Sequence, residues 1–254
     1  MTGQAASAVP TGPLSGIDVA VLAGGLGTRI RAVLGDVPKV LAPIGDRPFL
    51  DHLLDWLKGH GARRVVLCLG HLADKVEAHL RQHPPMGIEV VCVVEPEPMG
   101  TAGAVRFAYP HLTSDPVFVL NGDTFVDADM AVFVDAYRRS AVGLAILAAE
   151  VPSIARFGSL DVDPQGFVRR FVEKDETADR PGLISAGMYL FSRERLDALA
   201  AAEGSSLERD FLQTAPPGAV AAAIFSGRFI DIGTPDSLAG ADKVILSGVS
   251  PLNP

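Results

Sequence analysis

Residues 17–30, IDVAVLAGGLGTRI, decide how the rest of the chain is read. A β-branched and small apolar run, Ile17 to Leu22, breaks into Gly24, Gly25 and Gly27, as a strand does on leaving the carboxyl edge of a sheet. Glycines at that edge let backbone N–H groups approach phosphates closely. The turn is not a P-loop, because no Gly-Lys-Ser/Thr follows at Walker spacing. Nor is it a dinucleotide fingerprint, because Ile30 stands where the third glycine belongs.

Downstream, short apolar runs alternate with segments of helical periodicity. PFLDHLLDWLKGHG (48–61), ADKVEAHLRQH (73–83) and TAGAVRFAYP (101–110) read as helices, while ARRVVLCLG (62–70), IEVVCVVE (88–95) and DPVFVLNGD (115–123) read as strands. Parallel strands need crossover helices, so the pattern predicts a Rossmann-like, doubly wound, mostly parallel α/β sheet. A helix in DMAVFVDAYRRS and a strand in VGLAILAAE continue it. Between Phe157 and Leu190 the pattern changes to short strands with turn signals at Pro164–Gly166 and Pro181–Gly182, which predicts a small antiparallel appendage holding a second substrate. Helices near SRERLDALAAA and SLERDFLQ and a last strand, GRFIDIG, complete one domain over residues 16–245. Residues 1–15 read as a disordered lead-in and 246–254 as a tail.

A formal charge of −8 and a pI near 5.2 exclude a basic field for nucleic acid, so phosphate binding needs locally placed cations. Arg29 follows the glycine turn, and Lys39 sits among prolines that extend its loop; two cations there suit a triphosphate. Asp123 ends the fourth strand beside Gly122, and Asp231 follows the last short strand. Two such carboxylates from distant segments can converge on one Mg²⁺, a hard cation that favours carboxylate and phosphate oxygens. Asp127 and Asp129 fall where a helix begins and read as caps or surface groups. Cys68 and Cys92 lie inside apolar strands and read as buried free thiols, and the six histidines show no metal-ligand spacing, His71 alone meriting a test. No apolar run is long enough to cross a bilayer and no export signal opens the chain, so a cytoplasmic, membrane-free location is expected.

The turn from Leu22 to Arg29, LAGGLGTR, followed by Pro38–Lys39, resembles the sugar-1-phosphate nucleotidyltransferases, and the likeness runs from Val19 to about Leu238. The resemblance implies the nucleotide-diphospho-sugar transferase fold. It also implies in-line attack by a sugar 1-phosphate on the α-phosphorus of a nucleoside triphosphate, with Mg²⁺ as cofactor and pyrophosphate as leaving group. It makes Leu22, Ala23, Gly24, Gly25, Gly27, Thr28, Glu95, Gly100 and Thr101 nucleotide-binding, Arg29 and Lys39 catalytic, and Asp123 and Asp231 metal-binding. Asn121, Gly158, Glu173, Lys174 and Gly187 are implied on the sugar-phosphate side. A carboxylate only accepts hydrogen bonds, and guanine offers adjacent N1–H and N2–H donors, so Glu95 points to GTP.

The opening segment, NGDTF and SLERDFL look most like guanylyltransferases of D-glycero-α-D-manno-heptose 1-phosphate. Mannose 1-phosphate guanylyltransferases and N-acetylmuramate 1-phosphate uridylyltransferases share much of the pattern. No C-terminal β-helix repeat is present, and a monomer or homodimer is expected. A non-catalytic nucleotide-sugar sensor is the reading from another class, against which all four charged residue types stand in place.

Overall fold

The computed structural model describes residues 11–155, 157–172, 177 and 179–248. In chain order the elements are β1 (Asp18–Leu22), α1 (Arg31–Leu34), β2 (Pro43–Ile44), β3 (Arg47–Pro48), α2 (Phe49–Gly59), β4 (Arg64–Leu69), α3 (Ala73–Gln82), β5 (Glu89–Val94) and α4 (Gly100–Ala108). There follow β6 (Val117–Asn121), β7 (Thr124–Val126), α5 (Met130–Ser140), β8 (Leu144–Val151), β9 (Ser159–Val162), β10 (Val168–Val172) and β11 (Gly182–Phe191). The chain closes with α6 (Arg193–Ala201), β12 (Ala221–Phe225), β13 (Phe229–Asp231), α7 (Pro235–Ala239) and α8 (Ala241–Ile245).

Among the described residues nine strands form one sheet. Its parallel half runs β5, β4, β1, β6, so the chain winds outward from β1 to β5 and then returns to the other side of β1. That reversal opens a crevice between the carboxyl ends of β1 and β6, the place where open α/β sheets bind ligands. Both sheet faces are covered. Val19, Val21, Val65, Leu67, Phe118 and Leu120 pack into one core with Phe49, Leu53 and Leu57 of α2, while Ala20, Val66 and Val119 pack into a second with Ala102 and Val105 of α4. Helix α2 is set by its apolar spacing, with Phe49, Leu50, Leu53, Leu54 and Leu57 buried, and by Asp51 in its first turn and Lys58 in its last. Truncating fully buried Leu67 to alanine would cost about 2–5 kcal/mol.

The mostly parallel α/β sheet agrees with the sequence reading, with five corrections. Strand β11 is ten residues long and belongs to the main sheet, pairing antiparallel with β6 (Met188↔Leu120 to Phe191↔Val117) and with β8; only β9 and β10 are appended, through Leu183↔Leu160. Strand β12, Ala-rich and unassigned by pattern, pairs parallel with β8. SLERDFL makes a single π-helical turn, Leu207–Leu212, in place of the expected α-helix. Order also begins before residue 16: Leu14 is fully buried and its N–H donates to His60 O at 2.9 Å. At the other end, Leu246–Gly248 form a 3₁₀ turn, and Ser247 Oγ accepts from Arg228 Nη1 at 2.7 Å.

Asp129 caps α5 by accepting from Ala131 N at 2.8 Å, and Asp127 pairs with Arg228 at 2.5 Å, as their positions suggested. Cys68 is buried and its thiol is pushed up to about 12, which keeps it inert. No helix among the described residues is long and apolar enough to cross a membrane.

Candidate active site

The ends of β1 and β6 close on each other through Gly122, whose N–H donates to Leu22 O at 2.8 Å. A methyl group on Gly122 would lie 2.8 Å from that same carbonyl, so glycine is required there. Beside this junction lies a cleft of about 440 Å³, lined by the whole turn from Leu22 to Arg29, by Glu95, Gly100 and Thr101, and by Asn121, Asp123 and Lys39. Gly27 turns the chain with φ +58°, and buried Ile30 anchors the turn's far end. Two charged centres face this cleft.

The first is Glu95, placed just beyond β5 by its own N–H, which donates to Leu69 O at 2.9 Å. Methyl groups built on Gly24 and Gly70 would lie 2.8 Å and 2.7 Å from Glu95 Oε1, so two bare glycines make room for the carboxylate. Burial pushes the Glu95 carboxyl above its usual range, partly offset by the Met99 N–H, which donates to it at 3.4 Å.

The second is a lysine held by two acids. Pro38, extended, leads into a 3₁₀ turn, Lys39–Leu41, anchored by buried Val40. Lys39 Nζ contacts Asp123 Oδ2 and lies 3.8 Å from Asp231 Oδ1. A two-stranded ladder brings the acids together: β7 and β13 pair antiparallel with Thr124 opposite Asp231, and Ile232 N donates to Asp123 O at 2.9 Å. Gly233 N donates to Asp231 Oδ1 at 2.5 Å. Burial first, and the neighbouring Asp123 charge second, push the Asp231 carboxyl up, while Lys39, the Gly233 N–H and Arg29 pull the other way. Two acids this close need a cation, and Lys39 is the one they share.

Thirteen of the expected positions thus line one cleft, and Asp231 joins it through Lys39 and Gly233. Arg29 is exposed within that lining. Gly187, at φ +67°, packs against the Asn121 side-chain amide. Gly158 does not line the cleft; it lies against Val172 O on the appended strands. Glu173 and Lys174 fall outside the described residues. His71 lines a small recess beside Gly25, Gly27 and Lys39. Gly70, Pro98, Ala104 and Gly233 are further residues of the site; Gly233, in IDIGTP beside Asp231, carries a readable sequence signal, whereas Gly70 reveals itself only through Glu95.

A family model described as Nucleotidyl transferase matches residues 19–248. The chain belongs to the nucleotidyl transferase family. This nucleotidyl transferase is 33% identical over 216 residues to the D-glycero-α-D-manno-heptose 1-phosphate guanylyltransferase of Campylobacter jejuni, covering 85% of this chain and 94% of that one. It is 31% identical to the enzyme of that description from Aneurinibacillus thermoaerophilus, covering 89% and 97%. Among solved structures it resembles HddC from Yersinia pseudotuberculosis complexed with GMP-PN, at 33% identity and TM-score 0.79, covering 89% of this chain and 98% of that one.

Proposed function

We propose that this nucleotidyl transferase couples D-glycero-α-D-manno-heptose 1-phosphate to GTP, giving the GDP-sugar and pyrophosphate. The observation that carries the reading is the meeting, in one cleft, of an acceptor-only carboxylate with a Lys39–Asp123–Asp231 cluster. Support for the sugar is that relatives matched along nearly their whole length bear that sugar in their names.

Glu95 accepts from guanine N1–H and N2–H, and Gly24 and Gly100 line the cleft in which the nucleotide lies. The N–H groups of the Gly25–Thr28 turn, with Arg29 and Lys39, hold the triphosphate. An oxygen of the sugar phosphate attacks the α-phosphorus, a new P–O bond forms, and the bond to the bridging oxygen breaks as pyrophosphate leaves with that oxygen. The nucleophile arrives already ionised, so no side chain need abstract a proton. The chain's task is to hold two mutually repelling anions in line and to offset charge on the leaving group, which Arg29 and Lys39 do.

The acids also fit a divalent cation. Both reach one ammonium, both offer hard oxygen, and no third carboxylate, histidine or cysteine among the described residues completes a protein cage, leaving places for phosphate oxygens and water. Asp123 and Asp231 would hold Mg²⁺, which when bound supplies further charge neutralisation on the transferred phosphoryl.

The test is pyrophosphate release over a grid of GTP, ATP, UTP and dTTP against heptose, mannose, glucose and N-acetylmuramate 1-phosphates, with Mg²⁺. Release confined to GTP and the heptose phosphate is the expected result. A different active pair corrects the specificity, and silence throughout refutes the reading.

A further inference from the structure

The segment Gly204–Leu212 bonds both to the end of α4 that lines the cleft and to β11. Toward α4, Ser205 O accepts from Ala102 N at 2.9 Å and crowds the bare Cα of Gly100, which stands at φ +71°. Thr101 Oγ1 accepts from Leu207 N at 2.8 Å. The π-helical turn that follows is a wide, uncommon geometry, found disproportionately at functional sites. Its start is pinned by Asp210 Oδ2, which accepts from Ser205 N and Ser206 N, both at 2.8 Å.

Toward β11, Glu208 Oε1 accepts from Tyr189 Oη at 2.6 Å. Tyr189 is fully enclosed, and its hydroxyl also lies 3.1 Å from Ser185 Oγ, which accepts from Gly187 N at 3.1 Å. Ser185 to Tyr189 is where β11 slips register against β8, four steps along β11 matching two along β8. Gly187 sits at the middle of that bulge, against the Asn121 amide in the cleft. Hydrogen bonds therefore run from Glu208 through Tyr189 and Ser185 to Gly187, and the backbone from Glu208 to Leu207 joins this path to Thr101. A phenylalanine would fill the tyrosine's volume without the cost of burying a phenol beside an acid, so the polar pair is there to fix geometry.

We propose that Glu208 is a positioning residue for the sugar 1-phosphate, holding the Gly187 bulge beside Asn121 in register with the Gly100–Thr101 end of α4. The proposal rests on the sugar 1-phosphate reading above. Tyr189→Phe and Glu208→Ala are expected to raise KM for the sugar 1-phosphate about tenfold and to lower kcat, while the Kd for GTP alone, by calorimetry, stays within about twofold. Glu208→Gln keeps an acceptor and is expected to recover most of the wild-type KM. The double variant should be no worse than the poorer single one, because both break the same path.

Hydrogen exchange over Ser185–Met188 reads the path without substrate and should quicken in Tyr189→Phe and Glu208→Ala but not in Glu208→Gln. If Glu208→Ala fails to fold, Tyr189→Phe and Glu208→Gln carry the comparison. A fall in melting temperature with KM and exchange both unchanged overturns the proposal, as does an equal loss of GTP and sugar-phosphate affinity. An inactive wild-type enzyme refutes the functional reading instead, and exchange still decides the path.

Discussion

Replacing Glu95 by glutamine keeps the side chain's volume and exchanges one carboxylate oxygen for an NH₂. Against guanine, the carboxylate accepts from both N1–H and N2–H, whereas the amide accepts from one and sets a donor against the other. A hydrogen bond to a charged acceptor is worth about 1.5–3 kcal/mol. Glu95 is partly open to water, so the lower part of that range applies, about 1.5–2 kcal/mol, or about 10- to 30-fold in kcat/KM for GTP. For uracil the sign reverses, because an amide can donate to a carbonyl and accept from N3–H together, which the carboxylate cannot. The ratio of kcat/KM for GTP over UTP, measured with one sugar 1-phosphate at fixed pH, should therefore fall by more than the GTP loss alone. The space beside Gly24 and Gly70 is unchanged by the substitution, so the melting temperature should hold. An unaltered ratio in a folded variant would remove Glu95 from base recognition.

Because burial holds the Glu95 carboxyl above its usual range while guanine requires it ionised, GTP binding should release protons in the window just above the ordinary carboxyl pKa. Affinity then rises with pH through that window and is weaker below it; calorimetry at several pH values checks this, and Glu95→Gln should give a flat profile. Lys39→Ala and Asp123→Ala are each expected to lower kcat about a hundredfold or more with folding retained, since both side chains face the cleft rather than the core. Stopped-flow pyrophosphate release beside a melting curve measures both. Gly100→Ala meets positive φ and the Ser205 carbonyl at once, so a loss of at least about 1–2 kcal/mol of stability is expected by denaturant titration, accompanied by weaker GTP binding.

Much of this arrangement was legible in the sequence because its signals are local. The glycine turn after β1, the apolar periodicity of α2, and Asp123 at a strand end each announce themselves within a dozen residues. Where the reading failed, the deciding interaction was distant. β11 looks like an appended strand from its own turn signals, yet its place is set by pairing with β6 and β8. β12, AAAIF, has little intrinsic strand preference and is a strand because β8 offers it a ladder. Gly70 and Ser205 read as ordinary loop residues until Glu95 and Gly100 are brought against them. The last strand is legible in its own apolar run, but its membership of a separate two-stranded ladder depends on Thr124–Val126, far earlier in the chain.

That small ladder also dictates when the enzyme becomes competent during synthesis. The nine-stranded sheet is complete once β12 has been made, but Asp231 comes later, on a strand outside it. A growing chain, folding as it emerges, can pair the strands of its main sheet, form the glycine turn and set Glu95 in place while still lacking one of the two acids around Lys39 and the core residues Ile232, Ala241 and Ile245. Capacity for chemistry therefore arrives late in synthesis, and a chain cut just before Asp231 keeps every strand of the main sheet but lacks one of the two acids around Lys39.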